Sequence, residues 1–330
     1  IIGAGVMGTD HATILHESVS GGVVSAIADM DFDKAKSLAN AVNAHPFSDG
    51  FDLINSDTVD AVIVASADVT HRDLVLACLA ANKPVLSEKP LATTSEHARE
   101  IVLAEDKLGA PTPLVSVGFM RRFDPTCVEL HDTVVEGKYG AALLAHSVSR
   151  GTTSGPGSTN RSALSNSAIH EIDYLPWLLG SAIAEVTTQT TKLTKNVTGF
   201  QDPQLFSLRT ETGIVASCEL FLNARYGHDV RFEVVFEEGA VATVEPINTM
   251  VSSALSASTS LGPDWRRRWR NAYRIELQAW IDSIATGKPN PAMATARDGL
   301  ASLLVVDALI KSQELGGAAT AVIQVSDFLR

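Results

Sequence analysis

A chain of 330 residues is too long for one ordinary hydrophobic core, and two domains are the natural expectation. Its 45% apolar and 19% charged residues describe a globular protein, and a net charge of −12 argues against phosphate-backbone binding as its main business. No stretch reaches the roughly 18 uninterrupted apolar residues of a membrane helix, so neither a nucleic-acid nor a membrane partner is expected.

The first predicted unit is a strand, a glycine-rich turn and a helix: Ile1-Ile2-Gly3-Ala4-Gly5-Val6-Met7-Gly8. Gly3 permits the tight turn, Gly5 lets a pyrophosphate approach the backbone, and Gly8 lets the helix pack closely on the strand. Val6 and Met7 complete the turn, and the helix N-terminus offers N–H groups to phosphates. The next strand, Val23–Ala28, ends at Asp29, 21 residues past Gly8, where a carboxylate can accept both hydroxyls of an adenosine ribose. Met30 and Asp31 follow with no adjacent Arg or Lys to welcome a 2′-phosphate, which points to NAD rather than NADP.

Helix and strand then alternate to about Val117, as a parallel sheet with crossover helices requires. Helical stretches are expected near Asp33–Val42, Arg72–Ala81 and Glu96–Leu108, the last started by a Thr93-x-x-Glu96 capping box. The apolar run Asp60–Ala65 opens into a polar loop containing Ser66, Thr70 and His71, at the edge where ligands of such sheets sit. Ser66 and His71 are candidate cofactor contacts, although a helix-start residue at the rim is an equally good reading of His71. A later strand ends in Glu88-Lys89-Pro90, an unusual place for a solvated ion pair.

These residues together resemble the glucose–fructose oxidoreductase/inositol dehydrogenase/MocA family, and inositol 2-dehydrogenase-like members in particular. The resemblance continues through Gly118–Asp124, Asn166–Trp177 and, more loosely, Asp264–Ile281. It implies an α/β Rossmann domain over 1–120, a doubly wound parallel sheet. It also implies an α+β domain over 121–330 with a large, mostly antiparallel open sheet, for substrate binding and oligomerisation. The C-terminal helix is free to pack back on the first domain. Lys89 would lie beside the nicotinamide, with Glu88 among the cofactor contacts.

Beyond Asp124 a helical stretch (Thr126–Glu136) leads to a strand, Ala141–Ser149, and a small-residue loop, Gly151–Ser158. In the following segment Ile169, Ile172, Leu175 and Leu179 form an apolar helical stripe, and Asn166, His170 and Asp173 share the other. The segment is similar to the family's catalytic helix, which makes His170 the candidate base and Asn166 its positioning partner. Asp173 and Arg122 become candidate substrate contacts. Pro176 should bend or finish the helix.

From Ile183 to Glu245 the chain reads as strands, and the serine-rich Val251–Gly262 as a mobile or interface loop. Arg266–Arg270 is expected to be a solvated helix start or subunit contact. Tyr273 is a further substrate candidate, because its surroundings are similar to an inositol dehydrogenase helix. A long helix, Ala292–Gln313, and an edge strand, Ala321–Val325, should close the chain.

The resemblance implies an NAD-dependent dehydrogenase that oxidises a secondary hydroxyl of a cyclic polyol or sugar, with no metal. His170 would take the hydroxyl proton, Lys89 would hold the reacting oxygen and favour the neutral imidazole, and Asp173 would accept from other hydroxyls. Two departures bear on the substrate. Asn166 stands where the family usually has Asp, and Ser149-Arg150-Gly151 where many inositol dehydrogenases have His-Arg-Asn. Another inositol isomer or an aldose is therefore an alternative, and a non-catalytic NAD-binding regulator is one of a different class. The family habit implies a homo-oligomer, tetramer or dimer. Cys78, Cys127 and Cys218, far apart in sequence, suit a reducing, cytoplasmic location. The opening without Met, inside a strand, leads us to expect residues ahead of Ile1, and the cysteine usage gives a removed signal peptide little support.

Overall fold

The computed structural model describes residues 1–244 and 250–330. Two compact units emerge: Ile1–Phe123 with Asn271–Leu303 and Val325–Arg330, and Asp124–Arg270 with Leu304–Gln324. The first thus takes in a stretch that a single cut after residue 120 assigns to the second domain. The reason is local. Ala294–Thr295 pairs antiparallel with Val115–Gly118 and covers that sheet edge, and Gln278 bonds both backbone groups of Ser20, at 2.9 and 3.0 Å.

In the first unit Ile2 bridges Ala28 on one side and Val64 on the other, both in parallel. From this centre the sheet runs through Ala26–Ala28 to His45–Phe47 in one direction. In the other it runs through Val62–Val64 and Val85–Glu88 to Val115–Gly118. Strand order therefore reverses beside Ile2, the switch point where such sheets receive ligands at their carboxyl edge. Ala26–Ala28, Val62–Val64 and Val85–Glu88 are buried at every position, which explains the unbroken apolar character of the first two; the third ends in the buried polar pair Ser87 and Glu88. The helix Ser95–Leu108 is capped one residue later than the capping box suggests. Thr94 Oγ1 accepts from His97 N at 3.2 Å.

The second unit is a seven-stranded sheet in the order Ala240–Ala242, Asp229–Phe236, Ala142–Arg150, Val215–Phe221, Gln204–Thr210, Ile183–Gln189, Thr320–Ala321. Ala142–Arg150 and Val215–Phe221 are its one parallel pair among the described strands. Burial alternates along Gln204–Thr210 and Val215–Phe221, so one face is closed and the other half-open. On the closed face Tyr174 meets Phe232 with ring centroids 4.6 Å apart, and its hydroxyl donates to Cys127 O at 2.8 Å. This fixes the helix Ile169–Leu179 against both the sheet and the helix Pro125–Glu136.

Several sequence expectations shift. Pro176 does not end its helix, which runs on to Leu179 and closes on the left-handed Gly180. The serine-rich stretch contains a hairpin, Met250–Ser253 with Ser256–Thr259, whose second strand is exposed along its length. The last strand is short, Thr320–Ala321, and Val325–Phe328 is helical. Arg268, inside the basic cluster, is not solvated. Its guanidinium grips Asp124 at 2.5 and 3.0 Å, with side-chain exposures of 8% and 4%. Glu245, where the strand-rich stretch was expected to finish, lies outside the described residues. Among the described residues no helix is long and apolar enough to cross a membrane.

Candidate active site

Gly3 has φ +101°, and a Cβ there would sit 2.5 Å from Ala65 O, so only glycine serves. A Cβ on Gly8 would strike Gly3 O at 1.7 Å, because the helix Val6–Ser18 packs directly on the turn. Around Gly5, by contrast, nothing lies within 4 Å of the Cβ position, and no side chain caps the helix. A helix start with no side-chain cap and open space at Gly5 suits a pyrophosphate. Asp29 Oδ2 accepts from Ala4 N at 2.7 Å and Oδ1 from Asp31 N at 2.9 Å, so the carboxylate is locked beside the turn. Lys34 on the next helix pairs with Asp31 at 3.4 Å. The residues present fit NAD: a phosphate cradle, and a fixed anion where a 2′-phosphate would be repelled.

Two strands further along the same edge, Glu88 ends its strand and the half-buried Lys89 follows. Glu88 Oε2 accepts from Lys89 N at 3.2 Å, and Oε1 lies 2.8 Å from His11 Nε2. Burial pushes the Glu88 carboxyl up, but the His11 hydrogen bond and charge, with Lys89 and His71, outweigh it and hold the group below its usual range. Ser66 Oγ bonds Thr70 Oγ1 at 2.6 Å. His71 is 1% exposed, with Nδ1 2.8 Å from Pro90 O and Nε2 3.1 Å from Ser66 O.

In the second unit the chain runs from the helix Asn160–Ala163 through a π-turn, Leu164–Ala168, into Ile169–Leu179. The wider turn inserts phase between Asn166 and His170, so their alignment is looser than regular helical spacing implies. Asn166 is exposed, His170 half-buried and Asp173 2% exposed. The apolar stripe Ile169, Ile172, Leu175 and Leu179 is buried throughout and holds the helix in place.

Two family descriptions match in succession. "Oxidoreductase family, NAD-binding Rossmann fold" covers residues 1–119, and "Oxidoreductase family, C-terminal alpha/beta domain" covers 158–320. Inositol 2-dehydrogenase 2 of Paenarthrobacter aurescens is 44% identical over 98% of this chain and 97% of its own. The enzyme of that name from Saccharopolyspora erythraea is 42% identical over 97% and 94%. The chain belongs to the GFO/IDH/MocA oxidoreductase family. Among solved structures, myo-inositol dehydrogenase from Lactobacillus casei, in complex with NAD(H) and myo-inositol, is similar with TM-score 0.91 and 30% identity, over 98% and 95% of the two chains.

As a GFO/IDH/MocA member the chain has an NAD-binding Rossmann domain, and its edge brings together Gly3, Gly5, Val6, Met7, Gly8, Asp29, Ser66, Glu88 and Lys89. Other candidates sit differently. The Arg122 guanidinium is 3.4 Å from Asp298, and Tyr273 is 4% exposed, edge-on to His11 with ring centroids 5.7 Å apart. His11 escaped the sequence reading. The available signal was a histidine within the buried stripe Gly8, His11, Ala12 and Leu15. At the Ser149-Arg150-Gly151 departure, Arg150 holds Glu219 through two bonds of 2.6 and 2.8 Å and Tyr226 Oη at 2.9 Å. Among the described residues no group of three His, Cys, Asp or Glu is arranged to hold a metal.

Proposed function

We propose that the chain is an NAD-dependent dehydrogenase of the inositol 2-dehydrogenase kind, oxidising a secondary hydroxyl of a cyclic polyol. The observation that carries the reading is that the phosphate turn, Asp29 and Lys89 leave one edge of one parallel sheet, in a chain with inositol 2-dehydrogenase relatives along nearly its full length. Bound NAD supplies the hydride acceptor. The helix N-terminus at Gly5 and the Asp29 carboxylate hold it, and Lys89 donates a hydrogen bond to the reacting oxygen. His170 takes the hydroxyl proton, since imidazole titrates closest to neutrality. Asn166 positions it without adding charge, and Asp173 accepts from a further hydroxyl.

A second substrate reading has its own support. A Cβ at Gly151 would come within 3.1 Å of Leu222 O, so the backbone there leaves little room for a polyol-binding side chain. A different inositol isomer or an aldose suits a site with fewer such contacts. A panel of inositol isomers and aldoses, followed by NADH absorbance, tests both readings. Turnover on inositols above aldoses supports the first, and no NADH with any polyol removes it.

We further propose a homotetramer in the cytoplasm, built through the half-open sheet face. Leu144 is 43% exposed there, and its register partners Val215 and Val235 share its face.

A further inference from the structure

We infer that His11 is a positioning residue for Lys89, acting through Glu88 to tie the lysine-bearing turn to the helix that receives the dinucleotide phosphates. The inference rests on the proposed role of Lys89 and adds the means by which that residue is held. His11 lies one turn past Gly8 on the buried face of Val6–Ser18, itself 1% exposed, with Nε2 2.8 Å from Glu88 Oε1. A carboxylate only accepts, so the ring proton sits on Nε2. The other Glu88 oxygen accepts from Lys89 N at 3.2 Å. One carboxylate therefore joins the cofactor helix to the backbone of the lysine.

On the other side of the turn, His71 bonds Pro90 O and Ser66 O, at 2.8 and 3.1 Å. Both partners are backbone carbonyls, so the ring ties the turn at Pro90 to the loop at Ser66. Lys89 thus stands between two histidine braces, each reaching a segment of the cofactor edge. His11 is the brace that acts on a side-chain charge.

The groups facing the Glu88 carboxylate come from every neighbouring element. Lys89 and His71 add positive charge, and Tyr273 packs edge-on against His11. Burial, then the charges of Glu88 and Glu276, push the Tyr273 phenol up against the pull of Arg121, so it remains neutral. From the adjacent strand Gly118 presents no side chain, and a Cβ there would lie 3.5 Å from the carboxylate. Burial alone favours protonated Glu88, and the His11 donor opposes it. Removing that donor should let Glu88 protonate at higher pH, weakening the bond from Lys89 N that remains.

The test compares His11→Leu, His11→Gln, Glu88→Gln and the His11→Leu/Glu88→Gln double variant with wild type. Each is read by kcat against pH and by NAD dissociation constant from fluorescence quenching. His11→Leu should lose about 10- to 100-fold in kcat, the scale of a misplaced catalytic group, with its acidic limb moved to higher pH and NAD affinity within about threefold. His11→Gln, which restores a neutral donor near the Nε2 position, should recover most of the loss. Glu88→Gln cannot titrate, so adding His11→Leu to it should move the limb no further. A folded His11→Leu enzyme with wild-type kcat and limb, or a limb shift that persists without Glu88, would overturn the proposal. Should His11→Leu not fold, Glu88→Gln decides alone: the loss of the charged acceptor should lower kcat about 10-fold or more with NAD affinity retained, and a wild-type kcat sinks the idea. Normal turnover by Lys89→Met would instead remove the underlying reading of Lys89.

Discussion

The Asp29 carboxylate accepts from Ala4 N and Asp31 N, so its charge is fixed where an adenosine ribose would sit. NAD should therefore give the higher kcat/KM, and Asp29→Ser should narrow the gap by relieving repulsion of a 2′-phosphate. Equal values in wild type would contradict this. Lys89→Met and His170→Ala should each lose about 10²-fold or more in kcat, the scale of a positioned acid–base group, with NAD affinity retained because the turn and Asp29 are untouched. An Asn166→Asp variant adds a carboxylate near His170 and favours its protonated ring, so the acidic limb of kcat/KM should move to higher pH. A limb that stays in place would reject the electrostatic role of Asn166 alone.

The elements place these residues through caps and ion pairs that are only partly legible beforehand. Asp124 caps the helix Pro125–Glu136, its Oδ1 accepting from Thr126 N and Cys127 N at 3.2 Å each, while Arg268 closes on it from a distant segment. Burial pushes the Asp124 carboxyl up, but Arg268, Thr126 and Cys127 outweigh it and hold the group below its usual range. Its contribution is then fully present above the unfolded pKa of about 4 and lost as pH falls through the lower folded value. Arg268→Met should cost about 3–5 kcal/mol in urea unfolding at neutral pH, since it strands a buried charge. A loss under about 1 kcal/mol, as for an exposed pair, would contradict the assignment. Periodicity revealed the apolar stripe from Ile169 to Leu179, because burial on one face writes itself every three or four residues. The π-turn at Leu164–Ala168 left no such mark, since one extra residue per turn has no residue-type signature.

Across the molecule, the glycine turn, Asp29 and the lysine turn were readable because their chemistry is local and Gly3 and Gly8 each answer to a steric demand. The return of Asn271–Leu303 to the first unit was not, because pairing of Ala294–Thr295 with Val115–Gly118 joins residues far apart in sequence. The same holds for His11, whose role depends on Glu88 across two strands. Assembly is tested by light scattering at micromolar concentration, where a mass four times the 35.0 kDa chain is expected and a monomer would contradict it. The central claim, hydride transfer from a polyol carbon, is tested most directly by incubating the enzyme with NAD and myo-inositol deuterated at C2. NMR of the recovered cofactor should find deuterium on the nicotinamide ring of NADH, at one face only. Cofactor reduced without deuterium, or no reduction with this or any other deuterated inositol, would contradict the account.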